Sequence, residues 1–178
     1  SSTVATATLW FWILNPQLGL LNGVLELFGI SGPAWLYDSR WAMLAVVMMS
    51  LWAGFGTNMM IFLSGLQDIP QYLYEAAAVD GATKWNQFWN ITIPGLRNIT
   101  VFISLSIVVS AFQLIIQPMM MTAGGPQNST MTIVYEIYQT GFKYNKMGYG
   151  SAMALVFTVM VLILTLIQNK LTNKSNED

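Results

Sequence analysis

Residues 41–63 read WAMLAVVMMSLWAGFGTNMMIFL, and this run decides the fold. From Arg40 to Asp68 the interior of the chain holds no Asp, Glu, Lys or Arg. A helix needs ~20 mostly apolar residues to cross ~30 Å of hydrocarbon. Only a helix or a closed barrel satisfies the backbone where no water is present. Working outward, charge is also missing between Arg97 and Glu136 and between Lys146 and Lys170. These intervals place two further expected spans at residues 99–121 and 149–167. Residues 4–14 are as apolar, but as a helix they would rise only ~16 Å. They are expected to be the end of a span, stopped at Asn15-Pro16, whose earlier part the sequence lacks.

Composition agrees: 54% of residues are apolar and 8% charged, against about 25% charged in soluble domains. Lipid is the solvent this balance suits. With no Cys and no His, thiolate or imidazole metal sites, disulfides, Cys nucleophiles and His-based acid–base catalysis are excluded by inventory. No metal, cofactor or catalytic residue is expected. A net charge of −1 without a basic block also removes the electrostatic footprint of a nucleic-acid binder.

The fold expected is all-α, a polytopic helical membrane protein forming one transmembrane domain over residues 1–178. Between spans, residues 15–40 are broken by Pro16, Gly19, Gly23, Gly29, Gly32 and Pro33. Leu20, Leu21, Val24, Leu25 and Phe28 recur there at helical spacing, which suits either a short interfacial helix with Trp35, Tyr37 and Trp41 at headgroup level or a helix packed on the neighbouring spans. The polar loop 64–98 carries Asp68, Glu75, Asp80, Lys84 and Arg97. Residues 122–147 open on the turn-forming Ala123-Gly124-Gly125-Pro126 and continue through Ile133, Val134, Ile137, Tyr138 and Phe142 as an amphipathic helix. The tail 168–178 is polar and expected to fray.

In the loop stands Glu75-Ala76-Ala77, then three residues, Gly81, then nine residues, Ile91-Thr92-Ile93-Pro94. This resembles the EAA loop of binding-protein-dependent ABC importer permeases, departing only at Ile93, where the family has Leu. Gly65 to Pro70 (GLQDIP), Tyr74 to Ala82 (YEAAAVDGA), Gly124-Gly125-Pro126 and Met147-Gly148-Tyr149 are similar to the carbohydrate-type branch. The resemblance implies a type I importer transmembrane domain lacking its N-terminal helices. It also implies loop 64–98 on the cytoplasmic side and residues 122–147 outside, in a bacterial or archaeal cytoplasmic membrane. The partners it implies are an ATP-binding cassette ATPase subunit, a second permease subunit, an extracytoplasmic sugar-binding protein and the lipid bilayer, with no nucleic acid. Glu75, Ala76, Ala77, Asp80, Gly81, Ile91 and Pro94 then form the ATPase-coupling loop. Pro70 fits a helix start, Gly81 a break, and Pro94 the opening of the next span. Where the family often has a basic residue, this chain has Ala78-Val79.

Polar side chains inside a span tend to face the bundle interior or a water-filled path. Ser106, Ser110, Gln113 and Gln117 follow i, i+4, i+7, i+11, one helical face. With Asn58 they are the candidate substrate path. Their neutral amides and hydroxyls suit a sugar, against whose ring Trp52, Phe55 or Phe112 would lie. Helix-to-helix hydrogen bonding is the competing role for the same residues. No Gly-x-x-x-x-Gly-Lys-[Ser/Thr] phosphate loop occurs, so ATP hydrolysis is expected on the separate subunit and this chain is not itself expected to be an enzyme. An amino-acid or peptide permease, or a channel or structural membrane subunit without ATP coupling, are the alternative readings.

Overall fold

The computed structural model describes the backbone of residues 2–177 and the side chains of residues 2–170. Among the described residues every regular element is helical. Contacts divide the chain into two compact units, residues 1–53 with 109–166 and residues 54–108 with 167–178.

Among the described residues two helices are long and apolar enough to cross a membrane, or three if the bent pair Lys84–Gly95 and Arg97–Phe112 counts as one span. The two are α3 (Ser39–Gln67), at 29 residues, and the Met147–Lys170 part of α10 (Met147–Glu177). At 1.5 Å per residue α3 is about 43 Å long and overshoots the hydrocarbon at both ends. Only 11% and 6% of their apolar windows are buried within the chain, which leaves most of these apolar faces uncovered by the described residues. The polar tail does not end α10, whose backbone continues to Glu177. A third helix, α7, covers Arg97–Phe112 and departs from the continuous span expected over 99–121. The break, residues 113–115, precedes the short α8 (Ile116–Met121). Pro118 is the physical reason. Its ring would collide with the Leu114 carbonyl one turn back, and it has no N–H to donate to it. That carbonyl instead accepts a hydrogen bond from Thr132 Oγ1 at 2.5 Å.

In the first unit α1 (Thr3–Ile13) packs on α8. Ala7, Leu14, Trp35, Leu36, Ala45, Val46, Met49 and Met121 form its core. The loop after α1 contains α2 (Leu20–Leu27) as expected, and of the two alternatives Trp35 follows packing. It is buried and donates from Nε1 to Asn22 Oδ1 at 2.7 Å. Asn22 Nδ2 donates in turn to the carbonyls of Pro16 and Pro33, at 3.1 and 3.2 Å, which satisfies a buried amide and pins the loop. Tyr37 and Trp41 remain exposed.

The segment 122–147 folds as a hydrogen-bonded turn, then α9 (Ile133–Tyr138), which runs into a π turn at Gln139–Lys143. Thr130 is fully buried. Its hydroxyl lies 2.6 Å from Thr122 Oγ1 and 3.0 Å from the Gly125 carbonyl. Thr122 Oγ1 is also 2.9 Å from the Pro118 carbonyl.

Candidate functional site

Loop 64–98 is an out-and-back excursion closed at its base by small residues. A Cβ on Gly65 would overlap Ile99 Cδ1 and come within 3.3 Å of Leu96 Cδ2. Only glycine allows the end of α3 to approach the start of α7 this closely. Gly65 and Leu96 are buried, and no residue between Leu66 and Gly95 is.

From that base α4 (Gln71–Val79) leaves after Pro70, which occupies the N-cap position with extended dihedrals, φ −61° and ψ 128°. Ala76, Ala77 and Ala78 supply the best helix propensity. The helix ends as expected at Gly81, and the geometry gives the reason. Gly81 has φ +79°, its N–H donates to Ala78 O at 3.1 Å and the Ala82 N–H reaches back to Ala77 O at 2.9 Å. This is a Schellman ending, in which the residue after the C-cap must be left-handed. The spacing from Ala77 to Gly81 is therefore what closes this turn.

Thr83 restarts the chain, its Oγ1 accepting from Asn86 N at 3.3 Å as the N-cap of α5 (Lys84–Gln87). A π turn at Phe88–Thr92 follows, then the short α6 (Ile93–Gly95). The Lys84–Gly95 arm and α7 meet at 58°. Pro94 thus lies in the last turn before the bend and does not open the span, which begins at Arg97. A π turn immediately before a proline is a recognised source of such a kink, because the ladder has already been broken there. The arm is held against α4 by Tyr74 Oη and Thr92 Oγ1, 2.9 Å apart, and by Gln87 Nε2 donating to Tyr74 O at 3.4 Å.

The resulting helix-turn-helix displays its tip. Glu75, Ala76, Asp80, Gly81 and Pro94 are exposed, while Ala77 and Ile91 are half-buried. Val79, at the end of α4, is 88% exposed. A carboxylate, two alanine methyls and a bare valine make a low-relief surface that a second protein backbone can approach closely.

The polar stripe is not continuous. Ser106 and Ser110 are exposed on α7, Gln113 stands in the break, and Gln117 is half-buried on α8. The helical spacing that joined Gln113 to Gln117 is lost with the helix. Gln113 lines a groove of about 400 Å³ with Val109, Phe157, Val161 and Thr165. The hydroxyls of Thr158 and Thr165, on the same groove wall, donate to backbone carbonyls of their own helix, each at 2.8 Å. The Gln113 amide is then the side chain with donors to offer there. Phe112 and Phe157 have ring centroids 6.4 Å apart. Asn58 is half-buried on α3 above Gly54, where an added Cβ would lie 3.6 Å from its Nδ2. Trp52, exposed, meets Trp10 edge-on at 6.2 Å.

This arrangement is the fold of an ABC importer transmembrane subunit. Two crystal structures of a bacterial ABC transporter for the acidic polysaccharide alginate match it with TM-scores of 0.81 and 0.80, at 21% and 23% identity. They cover 97% of this chain and 61% and 60% of theirs. The chain belongs to the family of binding-protein-dependent transport system inner membrane components, matched over residues 2–176. The probable ABC transporter permease YurN of Bacillus subtilis (strain 168) is 35% identical over 99% of this chain and 61% of its own length. The arabinooligosaccharides permease AraP of the same strain is 32% identical, over 97% of this chain and 56% of its own length. The sn-glycerol-3-phosphate permease UgpA of Pectobacterium atrosepticum is 37% identical, over 91% and 55%. The chain therefore spans about 55–61% of the length of these curated relatives.

Proposed function

We propose that the chain forms part of the permease subunit of an ATP-driven importer for a sugar or oligosaccharide. A separate ATP-binding cassette subunit hydrolyses the nucleotide, a second permease completes the path and an extracytoplasmic protein delivers the cargo. The observation that carries this reading is the Schellman-stopped helix-turn-helix, closed at its base by Gly65 and bare at its tip. Glu75, Ala76, Ala77, Asp80 and Gly81 supply the ATPase contact, with Ile91 and Pro94 fixing the arm behind it. Relatives named for arabinooligosaccharides and sulfoquinovosyl glycerol support the cargo class. Neutral Asn58, Ser106, Ser110, Gln113 and Gln117 are its candidate contacts. Residues 41–63, 99–121 and 149–167 contain no charge, so contacts within these spans come from neutral amides and hydroxyls. Loop 64–98 faces the cytoplasm and residues 122–147 the outside.

The test is to express the intact subunit with its ATPase, sister permease and binding protein, then introduce Glu75→Lys or Ala77→Trp. Reversing a charge in a desolvated contact costs about 2–5 kcal/mol, and an indole at Ala77 holds the backbones apart. Both variants should insert normally and lose copurification of the ATPase or sugar-stimulated ATP hydrolysis. Wild-type coupling in both would remove Glu75 and Ala77 from the ATPase contact.

A further inference from the structure

The arm Lys84–Gly95 carries a feature that ATPase docking at the α4 tip does not use. Trp85, Phe88 and Trp89 form a closed triad: Trp85 stacks on Phe88 at 5.9 Å and 22°, and Trp89 meets them edge-on at 5.8 and 5.5 Å. The three rings are 68%, 40% and 53% exposed. The other sides of the arm are accounted for. Gln87 and Thr92 bond to Tyr74 of α4, and Asn90 Nδ2 donates to Asn86 O at 2.9 Å along a polar flank.

We propose that this arm lies in the membrane interface, with the Trp85–Phe88–Trp89 face set in the headgroup layer of an anionic leaflet. The inference rests on the reading of α7 as a membrane span. Chemistry favours lipid as the occupant: tryptophan, whose ring is apolar and whose N–H is polar, concentrates in this layer. Lys84 begins the arm, and from there to Arg97 no acidic residue occurs, so nothing in the segment repels anionic headgroups. The bend supplies the depth. A straight continuation of α7 would carry Trp89 and Trp85 roughly 12 and 18 Å beyond Arg97. Turned by 58°, the arm takes them only about 6 and 10 Å out, which puts Trp89 inside a headgroup layer of roughly 5–8 Å and Trp85 at its outer edge. A straight helix would have left both rings in water.

These 178 residues hold no cysteine, so single nitroxides can be placed at Trp85→Cys, Trp89→Cys and Asn86→Cys in the intact subunit once any cysteine elsewhere in it is replaced. The labelled subunit is assembled with its partners in nanodiscs containing phosphatidylglycerol. Collision with oxygen and with a water-soluble nickel chelate then reads depth. The expected result is an oxygen-to-nickel ratio several-fold higher at 89 than at 86, with 85 intermediate. Ratios at 85 and 89 equal to that at 86 would overturn the proposal, placing the face in water. Shielding from both reagents would also overturn it, showing a protein cover such as the ATPase. Since the label replaces an aromatic ring, unlabelled subunit should also be compared with Trp85→Phe/Trp89→Phe. Bromine near the headgroup end of the acyl chains should quench more fluorescence in the former, and equal quenching would count against the proposal. Neither readout depends on sugar uptake or ATP hydrolysis, so a failed coupling assay and a failed depth assay remain distinguishable.

Discussion

Two excursions leave the long helices, residues 66–95 and 113–147, and they are built on opposite terms. The first has no buried residue between Leu66 and Gly95. Its shape comes from backbone signals: a proline cap, a left-handed glycine, a threonine cap and a proline kink. The second buries Pro118, Met121, Thr130, Tyr135, Gln139 and Thr140 and ties its turn with threonine hydroxyls. This loop meets most of its own groups as the chain folds, although Ser129 Oγ is buried there without a hydrogen-bond partner. A loop whose shape is fixed locally while its surface stays bare has room for a partner.

The contrast breaks most readily at Thr130. Its two hydroxyl contacts are lost in Thr130→Val, which leaves the half-buried Gly125 carbonyl with one partner fewer. The cost should be about 2–3 kcal/mol. A lowered thermal midpoint of the intact subunit in detergent is expected, and an unchanged midpoint would show that the hydroxyl chain carries little of the loop's stability.

Gly81→Ala should cost less, roughly 1–2 kcal/mol, since a Cβ is disfavoured in the left-handed region. Nothing lies within 4 Å of the added carbon, so the penalty is conformational and local. Hydrogen exchange of the Gly81 and Ala82 amides should accelerate with the global midpoint nearly unmoved. A large global loss would mean that the turn is part of the folding core.

Smallest in stability and most specific in function is Gln113→Leu. The groove it lines is already apolar on most sides, so the fold should tolerate the change while sugar uptake falls and ATPase assembly persists. Lost assembly with normal uptake per assembled complex would assign the amide to packing.

The reach of the sequence differs between these regions for the same reason. Ends of α4 set by Pro70 and Gly81 were legible because each signal acts within four residues of the backbone it shapes. The charge-free run 41–63 marked α3, although its ends fall outside the run because Ser39, Arg40 and the polar Ser64 and Gln67 extend the helix into the interface. The break at 113–115 was written in Pro118, yet a hydrophobic window passes over a proline. The partner that stabilises the break, Thr132, lies eighteen positions from Leu114. The same break divides the polar stripe, which helical spacing alone had made continuous. Asn22 as the hub for Trp35 is a tertiary contact across thirteen positions, invisible to any local pattern.

The central claim is that the bare tip is the ATPase contact and the packed loop 113–147 is not. With any cysteine outside these residues replaced, one photo-activatable crosslinker is placed at Ala78→Cys and, separately, at Asn128→Cys, in the fully assembled transporter. The account predicts a crosslink to the ATP-binding subunit from position 78 that changes with nucleotide, and none from position 128. A crosslink to that subunit from 128, or none from 78 in a complex that hydrolyses ATP on sugar addition, would contradict it.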